Sequence, residues 1–165
     1  MTALTIRKST LDDIPALCVL ADAARAFMAA HGNAAQWGDG YPRDTDFAAD
    51  IQSGSSYVCV DQAGQVVGTF ACFDYEPCYD VIYDGAWLNT DPYVVLHRVA
   101  SFSGQGIGTF MLRHMMSKAR NIKIDTMASN YPMRALLTKL GFKYCGIIEI
   151  KGRGQRVAYQ WCANA

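Results

Sequence analysis

The chain has 165 residues, 51% of them hydrophobic and 18% charged, the balance of a globular protein rather than a disordered one. Its 15 Lys and Arg cancel its 15 Asp and Glu, so no basic excess draws it to a phosphate backbone or an anionic lipid surface. Six scattered cysteines without a C-x-x-C pair favour reduced thiols over a disulfide frame or a metal site, and hence a cytoplasmic setting.

No repeat or long linker interrupts the chain, which reads as one domain over residues 1–165. Residues 1–7 lack the basic start and apolar run of a signal peptide. Residues 4–8 alternate like a short half-buried strand. Ser9 or Thr10 then caps a helix with Asp12 and Asp13 in its first turn, where acids suit the dipole. Ile14, Leu17, Ala21, Ala24 and Met28 mark its buried face, and Gly32 ends it. Asp22 and Arg25 interrupt this apolar stretch, so it is not expected to span a membrane. An aromatic loop with Trp37, Tyr41 and Pro42 leads to a second helix over 45–52.

Strands follow at 56–60 and 66–73 around the turn Asp61-Gln62-Ala63-Gly64. Residues 76–92 carry Pro77, Gly85 and Pro92 among Tyr79, Tyr83 and Trp87, the pattern of an irregular insertion folded back on the body. A valine-rich strand over 93–100 is followed by a glycine turn and a helix whose apolar face holds Ile107, Phe110, Met111, His114 and Met115. A strand over 121–126 comes next, then a helix opened by Asn130 with Pro132 in its first turn. Met133, Leu136, Leu137 and Leu140 form that helix's stripe, and Gly141 stops it. Strands at 142–150 and 157–162 close the chain. The order β-α-α-β-β-β-α-β-α-β-β is that of a mixed α/β (α+β) layer. Residues 157–161 read as a strand able to form an edge, through which a homodimer could pair, and Arg153 and Arg156 as the decoration of a solvated hairpin.

The stretch Ser103-Gly104-Gln105-Gly106-Ile107-Gly108-Thr109 joins a buried strand to a helix start. There the free N–H groups and the helix dipole favour an anion, and glycines let the main chain approach a diphosphate. A phosphate loop of the Gly-Lys-Ser/Thr kind is excluded, because Thr109 follows Gly108 directly. A dinucleotide fold would place the loop after the first strand. Tight strand–helix packing alone is the remaining bland explanation.

His97-Arg98-Val99-Ala100, then Gly104 to Gly108, then Asn130 and Lys139-Leu140-Gly141-Phe142, resemble the GNAT superfamily of acetyl-CoA-dependent N-acetyltransferases. The resemblance is firm over 93–146 and implies a mixed, mostly antiparallel, twisted sheet of six to seven strands with four helices. It implies an acyltransferase whose acetyl-CoA is consumed and CoA released. Val99 and Ala100 would offer backbone groups to the pantetheine arm. Gly104, Gln105, Gly106, Ile107, Gly108 and Thr109 would cradle the pyrophosphate, and Asn130 would reach the pantetheine or cap its helix. Two positions depart from the family pattern: Ser103 replaces an Arg or Gln, and Leu137 stands where many members carry an acidic Tyr. Tyr131 and Tyr144 are the alternative phenols. His97 is the expected base, imidazole being the side chain suited to accept a proton around neutrality, with Asp125 orienting a neighbour. Trp37, Tyr41 and Trp87 are expected to wall an amine acceptor, a small molecule or a peptide. A non-catalytic acetyl-CoA-binding module on the same fold is the alternative.

Overall fold

Strands and helices alternate along the chain in the order the sequence predicts. The computed structural model describes residues 3–164 and contains β1 (Thr5–Lys8), α1 (Ile14–Ala30), α2 (Asp44–Gln52), β2 (Ser56–Val60), β3 (Val66–Phe73) and β4 (Val94–Ser101). They are followed by α3 (Ile107–Lys118), β5 (Asn121–Thr126), α4 (Tyr131–Lys139), β6 (Lys143–Ile150) and β7 (Gly154–Cys162). The seven strands form one open mixed sheet in the order β1-β2-β3-β4-β5-β7-β6. β4 and β5 run parallel, while the β1–β2, β2–β3, β5–β7 and β6–β7 pairs are antiparallel.

Contacts divide the chain into two compact units. The first takes the chain up to Cys72 and Arg98–Leu112. Its core sets Leu17, Leu20, Ala21 and Ala24 of α1 against Trp37, Phe47 of α2, Val58, Val60 and Ala100, with Ile14 and Met28 packed at the margin. Thr10 takes the N-cap position of a 3-10 turn (Leu11–Asp13) that leads into α1, and its N–H donates to Asp13 Oδ2 at 2.7 Å. Gly32 ends α1 at a φ of 76°, a conformation glycine adopts without a Cβ penalty. In the β2–β3 turn the Asp61 carboxylate accepts the N–H groups of Ala63 and Gln65, each at 2.9 Å.

The second unit holds Phe73–His97 and the chain from Arg113 on. Tyr79, Val95, Ile148 and Ala158 are buried together, with Trp87, Tyr93 and Ile150 packed on them. Residues 76–92 do fold back: a 3-10 turn (Pro77–Tyr79) buries Tyr79, and Tyr83 forms an antiparallel bridge with Ile147. Two expectations are corrected. β7 lies between β5 and β6, so 157–161 offers no edge; β6 takes that place because its hairpin folds outward. Arg156 is buried, its Nη1 donating to the Arg153 and Gln155 carbonyls, so it does not decorate a solvated surface. Among the described residues no helix is long and apolar enough to cross a membrane.

Candidate active site

The first unit carries the glycine turn. The Phe102 N–H donates to the Val67 carbonyl at 3.1 Å, and the chain then turns through Gly104 and Gly106 at φ values of 82° and 69°. A Cβ on either glycine would meet no atom within 4 Å, so the turn's outer face is open to a ligand. The Phe110 N–H returns to the Gly106 carbonyl at 3.0 Å, which makes Gly106 the last residue before the helix. The N–H groups of Ile107, Gly108 and Thr109 therefore fall in the first turn of α3, where no carbonyl four residues back exists for them. Gln105 is exposed beside them, whereas the Ile107 side chain is buried and leaves only its backbone for a ligand. That burial rests on Gly68 of β3, where a Cβ would come within 2.8 Å of Ile107 Cγ2 and Met111 Sδ. These residues fit a diphosphate: an open turn, positive-φ glycines and a helix dipole aimed outward.

Just before this turn, Arg98 departs from strand geometry with a φ of 51°. The left-handed region costs an ordinary side chain roughly 1–2 kcal/mol. Arg98 Nε and Nη2 grip Asp50 of α2 at 2.5 and 2.6 Å, and Nη1 donates to the Tyr41 hydroxyl at 2.8 Å. Burial works against the Arg98 charge, but Asp50 and Tyr41 together outweigh it and raise the pKa. Tyr41 is held from its other end too, Arg25 Nη1 donating to its carbonyl at 2.9 Å. Trp37 lies buried in the core edge-on to Tyr41, with ring centroids 6.3 Å apart. Both expected acceptor-loop aromatics are thus fixed by the body of the unit.

The second unit carries the titratable cluster. Among the described residues β4 pairs with β5 through Val94↔Ile122 and Val95↔Lys123. Beyond that pairing, His97 Nε2 lies 2.7 Å from Glu76 Oε2 and Nδ1 lies 3.9 Å from Asp125 Oδ1. The His97 bond, against burial, lowers the Glu76 pKa to about 2. A carboxylate can only accept, so Nε2 carries the proton that faces Glu76. Asp125 is pushed up by burial, although the His97 charge and the Tyr79 hydroxyl, donating at 2.5 Å, both oppose that.

The other expected residues find structural partners. Trp87 Nε1 donates to the Tyr79 carbonyl at 2.8 Å, and its ring lies 4.2 Å from Lys123 Nζ. The Asn130 side chain caps α4 by accepting the Met133 N–H at 3.3 Å, while its own N–H donates to Met127 and its carbonyl accepts from Arg134. Leu137 is wholly buried, and Tyr131 and Tyr144 are exposed. His31 is bonded to the Phe27 carbonyl and stacked on its ring, and burial lowers the His114 pKa. Glu76, Asp50 and Arg98 are the residues that sequence reasoning left without a role. Their signal is faint, because each finds its partner across 21 or 48 positions.

The chain matches the family model described as Acetyltransferase (GNAT) family over residues 20–142. A comparison with curated proteins finds no match. Among solved structures, an acetyltransferase of the GNAT family from Streptococcus agalactiae 2603 is 33% identical, with a TM-score of 0.89 over 98% of this chain and 96% of that one. A GNAT family acetyltransferase from Listeria monocytogenes shares the fold at 20% identity and a TM-score of 0.70, over 96% and 94% of the two chains. So does a ribosomal-protein-alanine N-acetyltransferase from Brucella melitensis, at 22% identity and 0.63, over 96% and 99%. The family model and the first of these structures agree on one assignment: the chain is an acyltransferase that belongs to the GNAT acetyltransferase family.

Proposed function

We propose that residues 1–165 act as one N-acetyltransferase domain that moves an acetyl group from acetyl-CoA to an amine of a small molecule or a peptide. The observation that carries this reading is the His97–Glu76 pair, 2.7 Å apart, on the strand that runs into Val99, Ala100 and the open glycine turn. Acetyl-CoA supplies a thioester carbonyl that a neutral amine can attack, giving an acetamide and CoA thiol. Val99 and Ala100 hold its arm through their backbone. Gly104, Gln105, Gly106, Ile107, Gly108 and Thr109 hold the pyrophosphate, and Asn130 fixes the start of α4. An ammonium ion has no lone pair, so the amine must lose a proton before it attacks, or shed one from nitrogen once the C–N bond forms. His97 takes that proton on Nδ1, and the resulting imidazolium is stabilised by Glu76 on one side and Asp125 on the other. Tyr41, with Trp37 behind it, borders the acceptor. With Leu137 buried, no phenol at that position protonates the leaving sulfur; a thiol pKa near 8.5 lets it depart as thiolate. Six cysteines outside any disulfide suit a reducing, cytoplasmic setting, which is part of the same reading.

The test is release of CoA thiol across a panel of amines, with acetyl-CoA binding measured in parallel. Turnover on at least one amine class is expected. Tight acetyl-CoA binding without turnover on any class would replace the enzyme with a binding module. His97→Ala is expected to lower kcat by about 10²–10⁴-fold, the usual worth of a positioned base, with acetyl-CoA affinity unchanged. Wild-type turnover would remove His97 from the mechanism.

A further inference from the structure

Arg98 performs no step in the chemistry above, and a guanidinium does not exchange its proton near neutrality. Its surroundings are nonetheless closely determined. All three guanidinium nitrogens are engaged: Nε and Nη2 with the two oxygens of Asp50, and Nη1 with the Tyr41 hydroxyl. Asp50 is buried in α2, and Arg98 nearly so. Its backbone φ of 51° lies in a region that Gly, Asn and Asp visit readily and Arg does not. A long side chain persists in that conformation when surrounding contacts over-determine it. Here a side-on, two-bond carboxylate grip does so.

We propose that Arg98 is a positioning residue: through Asp50 and Tyr41 it holds β4 in its left-handed turn and fastens the acceptor loop to the strand that presents Val99 and Ala100. The inference rests on the acetyltransferase reading of that strand and loop. Its geometry is complete within the first unit. β4 changes direction at Arg98, so the backbone groups of the next two residues are aimed by this one φ angle. Tyr41 is pinned at both ends, by Arg25 of α1 at its carbonyl and by Arg98 at its hydroxyl. Donor strand and acceptor loop therefore share one anchor.

Steady-state kinetics and acetyl-CoA titration of Arg98→Ala, Arg98→Gly, Arg98→Lys and Tyr41→Phe test this. Arg98→Ala is expected to lose on the order of 100-fold in kcat/KM, the cost of a misplacement near 1 Å, with acetyl-CoA affinity and amine KM both impaired. Arg98→Gly leaves Asp50 equally unpaired but takes the left-handed turn without strain, so it should recover roughly tenfold over Arg98→Ala. Tyr41→Phe should raise the amine KM alone, and add almost nothing on the Arg98→Ala background. Should Arg98→Ala fail to fold, Arg98→Lys decides, with kcat/KM expected to fall at least about tenfold because a lysine cannot reproduce the fork. Wild-type kinetics in Arg98→Ala or Arg98→Lys, or an Arg98→Gly no better than Arg98→Ala, would overturn the proposal. Failure of the wild-type protein to bind acetyl-CoA would instead remove the function on which it rests.

Discussion

At the scale of single residues, the His97–Glu76 contact links the site to acid stability. The Glu76 pKa is held at about 2 against an ordinary 4.5. A carboxyl whose folded pKa is depressed stabilises the fold fully above its unfolded value, and that contribution is lost as pH falls through the folded one. The stability gap between wild type and Glu76→Gln is thus expected to be present above pH 4.5 and to close as pH falls toward 2. Thermal melts across that window measure it, and a gap that widens toward acid contradicts the assignment. Gly106 allows a second test. Its φ of 69° admits a side chain only with strain, although space for a Cβ is open. Gly106→Val is expected to weaken acetyl-CoA binding by about tenfold or more in calorimetric titration, the equivalent of a strain near 1.4 kcal/mol.

Among elements, the segment between β3 and β4 depends most on the rest of the chain. The Leu88 N–H donates to Gln160 Oε1 at 2.8 Å, and Gln160 Nε2 donates to Asn89 Oδ1 and Asn121 Oδ1 at 3.1 and 2.7 Å. Gly85 lies so close to β6 that an added Cβ would overlap the Cys145 carbonyl. Gly85→Ala is therefore expected to destabilise the protein by about 1–3 kcal/mol, the usual cost of overpacking, read as a lower denaturant midpoint. An unchanged midpoint would mean that the segment can lift away at little cost.

Such dependence explains what the sequence made legible. The α1 stripe, the Asp61 turn, the glycine turn and the Asn130 cap declare themselves within a few residues, because spacing or a local bond creates each. The insertion's order comes instead from a glutamine 72 positions away. The φ of Arg98 comes from an aspartate 48 positions earlier, on a short helix. Residues 157–161 read as an edge because nothing local says that β6 folds outside them. Arg156 read as exposed although its partners are local, because they are backbone carbonyls of its own turn, which no residue identity announces.

At the scale of the whole molecule, acetyl-CoA is expected to raise the melting temperature. Saturation at about 100 times Kd adds roughly 2.7 kcal/mol to a fold that binds it only when native. Scanning calorimetry with and without acetyl-CoA measures this, and an unchanged transition would count against the donor site. The distribution of indoles gives the molecule its own optical labels. Trp37 lies in the first unit, and Trp87 and Trp161 in the second. A buried indole emits further to the blue than one reached by water, so each unit reports its own unfolding. Trp87→Phe/Trp161→Phe leaves emission from the first unit alone, and Trp37→Phe leaves it from the second. If residues 1–165 melt as one domain, the two emission curves fall on the same midpoint.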